Sequence, residues 1–177
     1  SAFYHRVPVG HVEAGLRTYD KYSPFPEEMN RKLVSAIADL YFCPTVNNKN
    51  NLLKEGITQG LFITGNTVID ALRTTVREDY TFATDELNRL PYEEKKMILV
   101  TCHRRENYGE PMKHIMLALR QIAESHPEVE IVYPVHLSPV VREAVDKYLR
   151  GAPRVHLIEP LSADEMHNLM SRCYMVM

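Results

Sequence analysis

Short apolar runs rich in β-branched and aromatic residues alternate with amphipathic helix patterns along the whole chain, and no internal repeat or low-complexity tract interrupts them. Such alternation is the signature of βα units that build a parallel sheet, because a crossover helix must carry the chain back to the same end of the sheet before the next strand can run parallel. The spacing predicts strands at Val7 to Val12, Leu40 to Cys43, Leu61 to Thr64, Met97 to Cys102, Glu130 to Val135, Val155 to Ile158 and Tyr174 to Met177. Between them it predicts helices at Glu27 to Ala38, Val46 to Glu55, Val68 to Glu78, Met112 to Ser125, Val140 to Leu149 and Ala163 to Ser171. The helix starts carry their own signals: Pro26 before two glutamates, Thr45, Ser138-Pro139, and Ser162 with Glu165 three residues on as a capping box.

At 177 residues the chain holds one domain of about 150 residues or two incomplete ones. Residues 77–96 are the most polar and least periodic part, and read as a connection around a weak helix outside the core. A change of domain from Gly65 onward divides the chain into residues 1–66, the C-terminal part of one α/β domain, and 67–177, a linker with the N-terminal part of another. Both pieces look cut, since the chain starts and stops almost directly on strands.

Composition excludes several classes. With 21 Lys+Arg against 23 Asp+Glu, the net charge of −2 gives no general pull toward nucleic acid or anionic lipid. The 45% hydrophobic content suits a globular core. No apolar run approaches the ~18 residues of a membrane span and no signal-peptide core opens the chain, so a cytoplasmic location is expected. Cys43, Cys102 and Cys173 are too few and too scattered for a disulfide framework or a zinc knuckle. The histidines outside the strand ends show no metal-ligand spacing, so no metal site is expected.

Chemistry in an open parallel sheet collects after the strands. The segment Gly10-His11-Val12-Glu13-Ala14-Gly15-Leu16-Arg17-Thr18 places a carboxylate and then an arginine just there. Glu13 is either a working acid or base, or a structural carboxylate paired with Arg17 or capping a loop. In Ser23-Pro24-Phe25-Pro26-Glu27-Glu28-Met29-Asn30-Arg31, two prolines fix an extended approach to a helix whose first turn carries two carboxylates. The macrodipole and i,i+4 pairing with Arg31 and Lys32 explain those glutamates without function, although a Pro-x-Pro clamp exceeds what a helix start requires. Gly60 to Thr67 has Walker-type glycine spacing but Asn66 in place of the lysine, which argues against a nucleotide triphosphatase. The Gly65-Asn66-Thr67 turn can hold a phosphate or merely cap its helix.

The strongest local signal is Thr101-Cys102-His103-Arg104-Arg105-Glu106-Asn107, in which an apolar strand delivers a histidine and two arginines to its end. Forked arginine donors and an imidazole suit a diphosphate; the alternative is a surface cluster satisfied by Glu106. Tyr133-Pro134-Val135-His136 repeats the geometry one strand later, which suggests a shared cleft.

These segments, with Phe62-Ile63-Thr64-Gly65-Asn66-Thr67-Val68-Ile69-Asp70, resemble in order the non-hydrolysing UDP-N-acetylglucosamine 2-epimerases, over about the middle half of that family's length. The resemblance implies two Rossmann-like domains facing a cleft, the glycosyltransferase-B arrangement. It also implies inversion of C2 of UDP-N-acetylglucosamine to give UDP-N-acetylmannosamine, through elimination of UDP and a 2-acetamidoglucal, with no cofactor. Carried over motif by motif, Glu13, Glu27 and His103 are catalytic, and Arg17, Asn66, Arg104 and Arg105 bind substrate. Glu28, Arg104 and His136 contact a second UDP-N-acetylglucosamine that activates the enzyme. A catalytic aspartate upstream, a Ser-Gly-Gly loop downstream and a homodimer are further implications. Cys102, where many relatives have glycine, departs from the pattern and is expected to add bulk beside the diphosphate. A hydrolysing relative, a glycosyltransferase of the same fold and a non-catalytic nucleotide-sugar-binding module are the alternatives.

Overall fold

The structure, a computed structural model, describes residues 2–177. They form an α/β protein that divides into two compact units, with the division after Arg73. The first unit carries a parallel sheet of β1 (Gly10–Val12), β2 (Leu40–Cys43) and β3 (Leu61–Ile63) in that spatial order. Helices α1 (Glu27–Ile37) and α2 (Val46–Lys54) form the crossovers, and α3 (Thr67–Thr75) spans the division. The second unit holds α4 (Asp85–Asn88), β4 (Lys96–Leu99), α5 (Glu110–Ser125), β5 (Val129–Pro134), α6 (Pro139–Tyr148), β6 (Val155–Ile158), α7 (Ala163–Arg172) and β7 (Met175–Val176). Its four strands are parallel in the order β6-β5-β4-β7.

The predicted strands and helices all appear, with ends displaced by a few residues. The first strand begins at Gly10 and not Val7. Pro8 has no N–H to give a ladder, and the Val9 N–H goes to the Asp39 carboxylate at 2.8 Å. Strand β4 ends at Leu99, yet the Val100 and Thr101 N–H groups still reach the Val132 and Met177 carbonyls at 2.9 and 2.8 Å.

The second unit's sheet is covered on both faces, which is why its strands read as continuous apolar runs. Ile98, Val100, Ile131 and Tyr133 face a core shared with Met112, Met116, Leu119 and Ala123, the buried stripe of α5 at helical spacing. Met97, Leu99 and Val132 face the other side, against Leu169 of α7 and Phe82, Leu87 and Leu90. The last three lie in the polar stretch expected to sit outside the core. That expectation is corrected: three apolar side chains without a shared period anchor the connection, so no periodicity announces them.

The first unit's core is small, built on Ala14, Tyr41, Cys43 and Leu52, while Leu40, Phe62 and Ile63 remain exposed. Capping follows chemistry closely. Thr45 and Asn48 make a reciprocal capping box at α2. At α7 the Ser162 hydroxyl accepts from the Glu165 N–H at 3.2 Å, but the Glu165 carboxylate accepts from the Thr84 N–H at 3.0 Å. The expected box is thus half made, and its acid ties the 77–96 connection to the helix. Among the described residues no helix is long and apolar enough to cross a membrane.

Candidate functional site

In the first unit, β1 delivers the chain to Glu13, whose backbone lies in the left-handed region at φ 63. A non-glycine residue there is strained by about 1–3 kcal/mol, and such strain persists only where the surroundings impose it. Here they do. The Ala14 N–H is held by the Phe42 carbonyl at 3.0 Å. At Gly15, φ is +83 and an added Cβ would sit 2.1 Å from the Asn48 carbonyl oxygen, so the loop presses directly on the α2 backbone. The Gly15 carbonyl in turn accepts from the side chains of Asn48 and Asn51 at 3.4 and 3.0 Å. The Glu13 side chain is exposed at the top of this clamp.

Arg17, expected as a substrate contact, is turned inward with its side chain fully enclosed. It grips both oxygens of Glu55 at 2.8 Å and donates to the Ser35 hydroxyl and the Leu16 carbonyl, each at 2.9 Å. That bidentate pair raises the arginine's affinity for its proton and holds the Glu55 carboxyl below its usual range. Arg17 is a strut joining the loop, α1 and the end of α2, and its carboxylate partner is Glu55 and not Glu13. Nothing in the spacing points to Glu55, which lies 38 residues away.

The two glutamates that open α1 part company. Glu27 is exposed. Glu28 is completely buried, and its two oxygens accept from the Thr18 and Tyr19 N–H groups at 3.1 Å each. These bonds close the loop 18–19 onto the helix. Both X-Pro bonds in this segment, Ser23-Pro24 and Phe25-Pro26, are cis.

His11 has a buried Nδ1 without a hydrogen-bond partner. Burial lowers its pKa, and the charges of Arg17 and Arg31 lower it further, against an opposing pull from Glu13. The signal present in the sequence is its place two residues before Glu13 in the same motif. Asn66 caps its helix: its side-chain oxygen accepts from the Val68 N–H at 3.1 Å, and its carbonyl from the Ile69 N–H at 3.1 Å.

In the second unit the segments after β4 and β5 are joined in three places. The Tyr133 hydroxyl donates to the Cys102 carbonyl at 2.7 Å. The His103 and His136 rings stack with centroids 5.3 Å apart and planes 22° from parallel. The Tyr108 hydroxyl reaches the Ser138 hydroxyl at 3.3 Å, and the Ser138 N–H donates to His136 Nδ1 at 3.0 Å. Burial pushes the Tyr133 phenol well above its usual range, so it remains a donor. His103, Arg104, Arg105 and His136 are all exposed. Among the described residues no ion pair links Glu106 to either arginine. Sequence reasoning misses Tyr133 and Ser138 as functional residues, since their roles exist only where two strand ends meet.

Cys102 does not add bulk beside this cluster. Its side chain is buried in the core with Sγ 3.6 Å from Met112 Sδ, and burial raises its thiol pKa. Strand alternation sends residue 102 inward where 103 goes outward. Among the described residues no three His, Cys, Asp or Glu side chains could share a metal ion.

The family model described as UDP-N-acetylglucosamine 2-epimerase matches residues 1–177. The Bacillus subtilis UDP-N-acetylglucosamine 2-epimerase is 53% identical over 179 residues, covering 100% of this chain and 46% of that protein. Among solved structures, the S. aureus MnaA-UDP co-structure matches with a TM-score of 0.90 and 48% identity, covering 99% of this chain and 47% of that one. The UDP-GlcNAc 2-epimerase from Neisseria meningitidis bound to UDP-GlcNAc matches with a TM-score of 0.88 and 44% identity, covering 99% and 48%. The chain spans about half the length of the curated relatives it matches.

Proposed function

The chain belongs to the UDP-N-acetylglucosamine 2-epimerase family, and we propose that the full-length protein interconverts UDP-N-acetylglucosamine and UDP-N-acetylmannosamine without net hydrolysis. The observation that carries this reading is the end of the second unit's sheet. There, in a chain that matches the family along its whole length, two stacked histidines and two exposed arginines are presented, and among the described residues no carboxylate forms an ion pair with them.

The proposed reaction starts with removal of the C2 proton by a carboxylate. The C1–O bond breaks, its electron pair leaves with UDP, and a C1–C2 double bond forms. Charge accumulates on the departing diphosphate, where His103, Arg104 and Arg105 supply forked and single donors. A second carboxylate returns a proton to the opposite face of C2, and the diphosphate oxygen closes back onto C1. Glu13 and Glu27 take the two acid-base roles, which agrees with their exposure beside two glutamates, 28 and 55, that are committed to structure. Arg17 is left out of the substrate set, and Asn66 is assigned to its helix cap.

The deuterium test is direct. Full-length protein incubated with UDP-N-acetylglucosamine in deuterated water should give UDP-N-acetylmannosamine carrying deuterium at C2. An unlabelled product would end the elimination route, and free N-acetylmannosamine as the sole product would assign the hydrolysing reaction instead. A homodimer, a cytoplasmic location and activation by a second UDP-N-acetylglucosamine rest on the family resemblance. Arg104 and His136 are open to such an activator, whereas the Glu28 carboxylate is enclosed.

A further inference from the structure

We infer that His136 is a positioning residue for His103, setting the plane of that ring by stacking, and that the Ser138 N–H in turn sets the plane of His136. The inference rests on the epimerase reading only for its catalytic consequence. The geometry itself belongs to this unit. His103 leaves its strand on an exposed segment, and no hydrogen bond from its imidazole to a described residue fixes its rotamer; a terminal imidazole torsion is broad and roughly two-fold when nothing holds it. The contact that defines its ring plane is the parallel face of His136, at a centroid separation of 5.3 Å and 22°. His136 is better anchored, because a backbone N–H donates to its Nδ1 at 3.0 Å and so fixes both the ring orientation and which nitrogen is the acceptor.

Two further links make the pair stiff. The Cys102 carbonyl, one residue before His103, is held by the buried Tyr133 hydroxyl at 2.7 Å. Ser138, which anchors His136, is met by the Tyr108 hydroxyl at 3.3 Å from the turn that follows the two arginines. Tyr133 and His136 both come from the β5 end, so that strand end sets the backbone and the ring of the residue donated by the neighbouring one. An anion contact made by His103 therefore depends on a side chain that need not touch the anion.

The test uses the full-length protein with His136→Ala and His136→Phe. Phenylalanine keeps a flat ring for His103 to stack on and gives up the imidazole nitrogens. His136→Ala should lose about tenfold in kcat with KM within about twofold, a part of the ~100-fold that misplacement by 1 Å can cost. His136→Phe should recover part of that loss, since a ring remains for His103 to stack on while the Ser138 N–H no longer finds Nδ1. In spectra of histidine-labelled protein, the His103 Cε1–H resonance should move downfield in His136→Ala, as the shielding ring is removed, and stay near its original position in His136→Phe. Phenylalanine as impaired as alanine would overturn the inference, since a role confined to direct effector contact predicts that result. An unmoved His103 resonance in His136→Ala would overturn it as well. A wild-type protein that turns over no UDP-N-acetylglucosamine would instead bring down the epimerase reading, while the ring resonance would still decide the stack.

Discussion

The first unit holds its strand-end loop from beneath, with a buried arginine, a buried glutamate and two asparagines that all reach inward. The second unit holds its strand ends side by side, with one buried tyrosine below and a pair of exposed rings above. The second unit's sheet has apolar cores on both faces, with its charged strand-end residues in water. In the first, polar contacts set the loop that carries Glu13. Polar networks of this kind are specific but demanding, because a half-satisfied one costs more than none. Identical residue types therefore divide by partner: of the paired glutamates at the start of α1, one closes a loop and the other faces solvent.

That contrast is open to attack at several points. The largest expected effect is on turnover. Glu13→Gln and Glu27→Gln in the full-length protein should each lower kcat by about 10²–10⁴, the usual contribution of a positioned acid or base, while UDP affinity by calorimetry stays within about threefold. Near-normal rates would return both residues to the structural side. Next, Arg17→Ala should destabilise the first unit by about 2 kcal/mol, since it removes the enclosed arginine stem and its links to Ser35 and Leu16, while the exposed Glu55 returns to water. Hydrogen exchange read peptide by peptide should place that loss in residues before Arg73 and leave the second unit protected; an even loss across both would dissolve the contrast. Glu28→Gln should cost about 2 kcal/mol in the same unit, because an amide can accept at one end and not at both. Tyr133→Phe should cost about 1 kcal/mol, confined to the second unit.

The last effect is absent at pH 7 and emerges in alkali. Burial raises the Cys173 thiol from 9.0 to about 11 and the Tyr92 phenol from 10.0 to about 12. Both groups stay protonated in the fold after the unfolded chain has released those protons. Stability of the second unit is therefore complete below about pH 9 and falls as pH rises through the raised values. A denaturation midpoint that holds steady from pH 9 to pH 12 would remove this account of Cys173 and Tyr92.

Much of the arrangement is legible in the residues. Alternating periods of two and 3.6 locate the elements, since sheet and helix impose those periods wherever a face is buried. Motif position brings Glu13, Glu27, His103 and Arg104 to strand or helix ends. The buried anchors Phe82, Leu87 and Leu90 escape such reading because a connection packs its apolar side chains without a repeat. Arg17 and Glu28 look outward-facing from spacing alone, which records where a charged residue lies along the chain and not which way its carbon stem turns.

What the order of residues settles here is the set of short-range facts: which segments are strands, where helices start, and that the carboxylate at 13 follows directly on a strand. Those depend on backbone sterics and on neighbours within a few positions. Which glutamate is enclosed, which carboxylate Arg17 grips 38 residues away, and that His103 and His136 lie face to face depend on chain segments far apart in sequence. Such contacts are chosen by packing and by the high cost of leaving a buried charge unpaired, conditions that exist only after the strands have assembled.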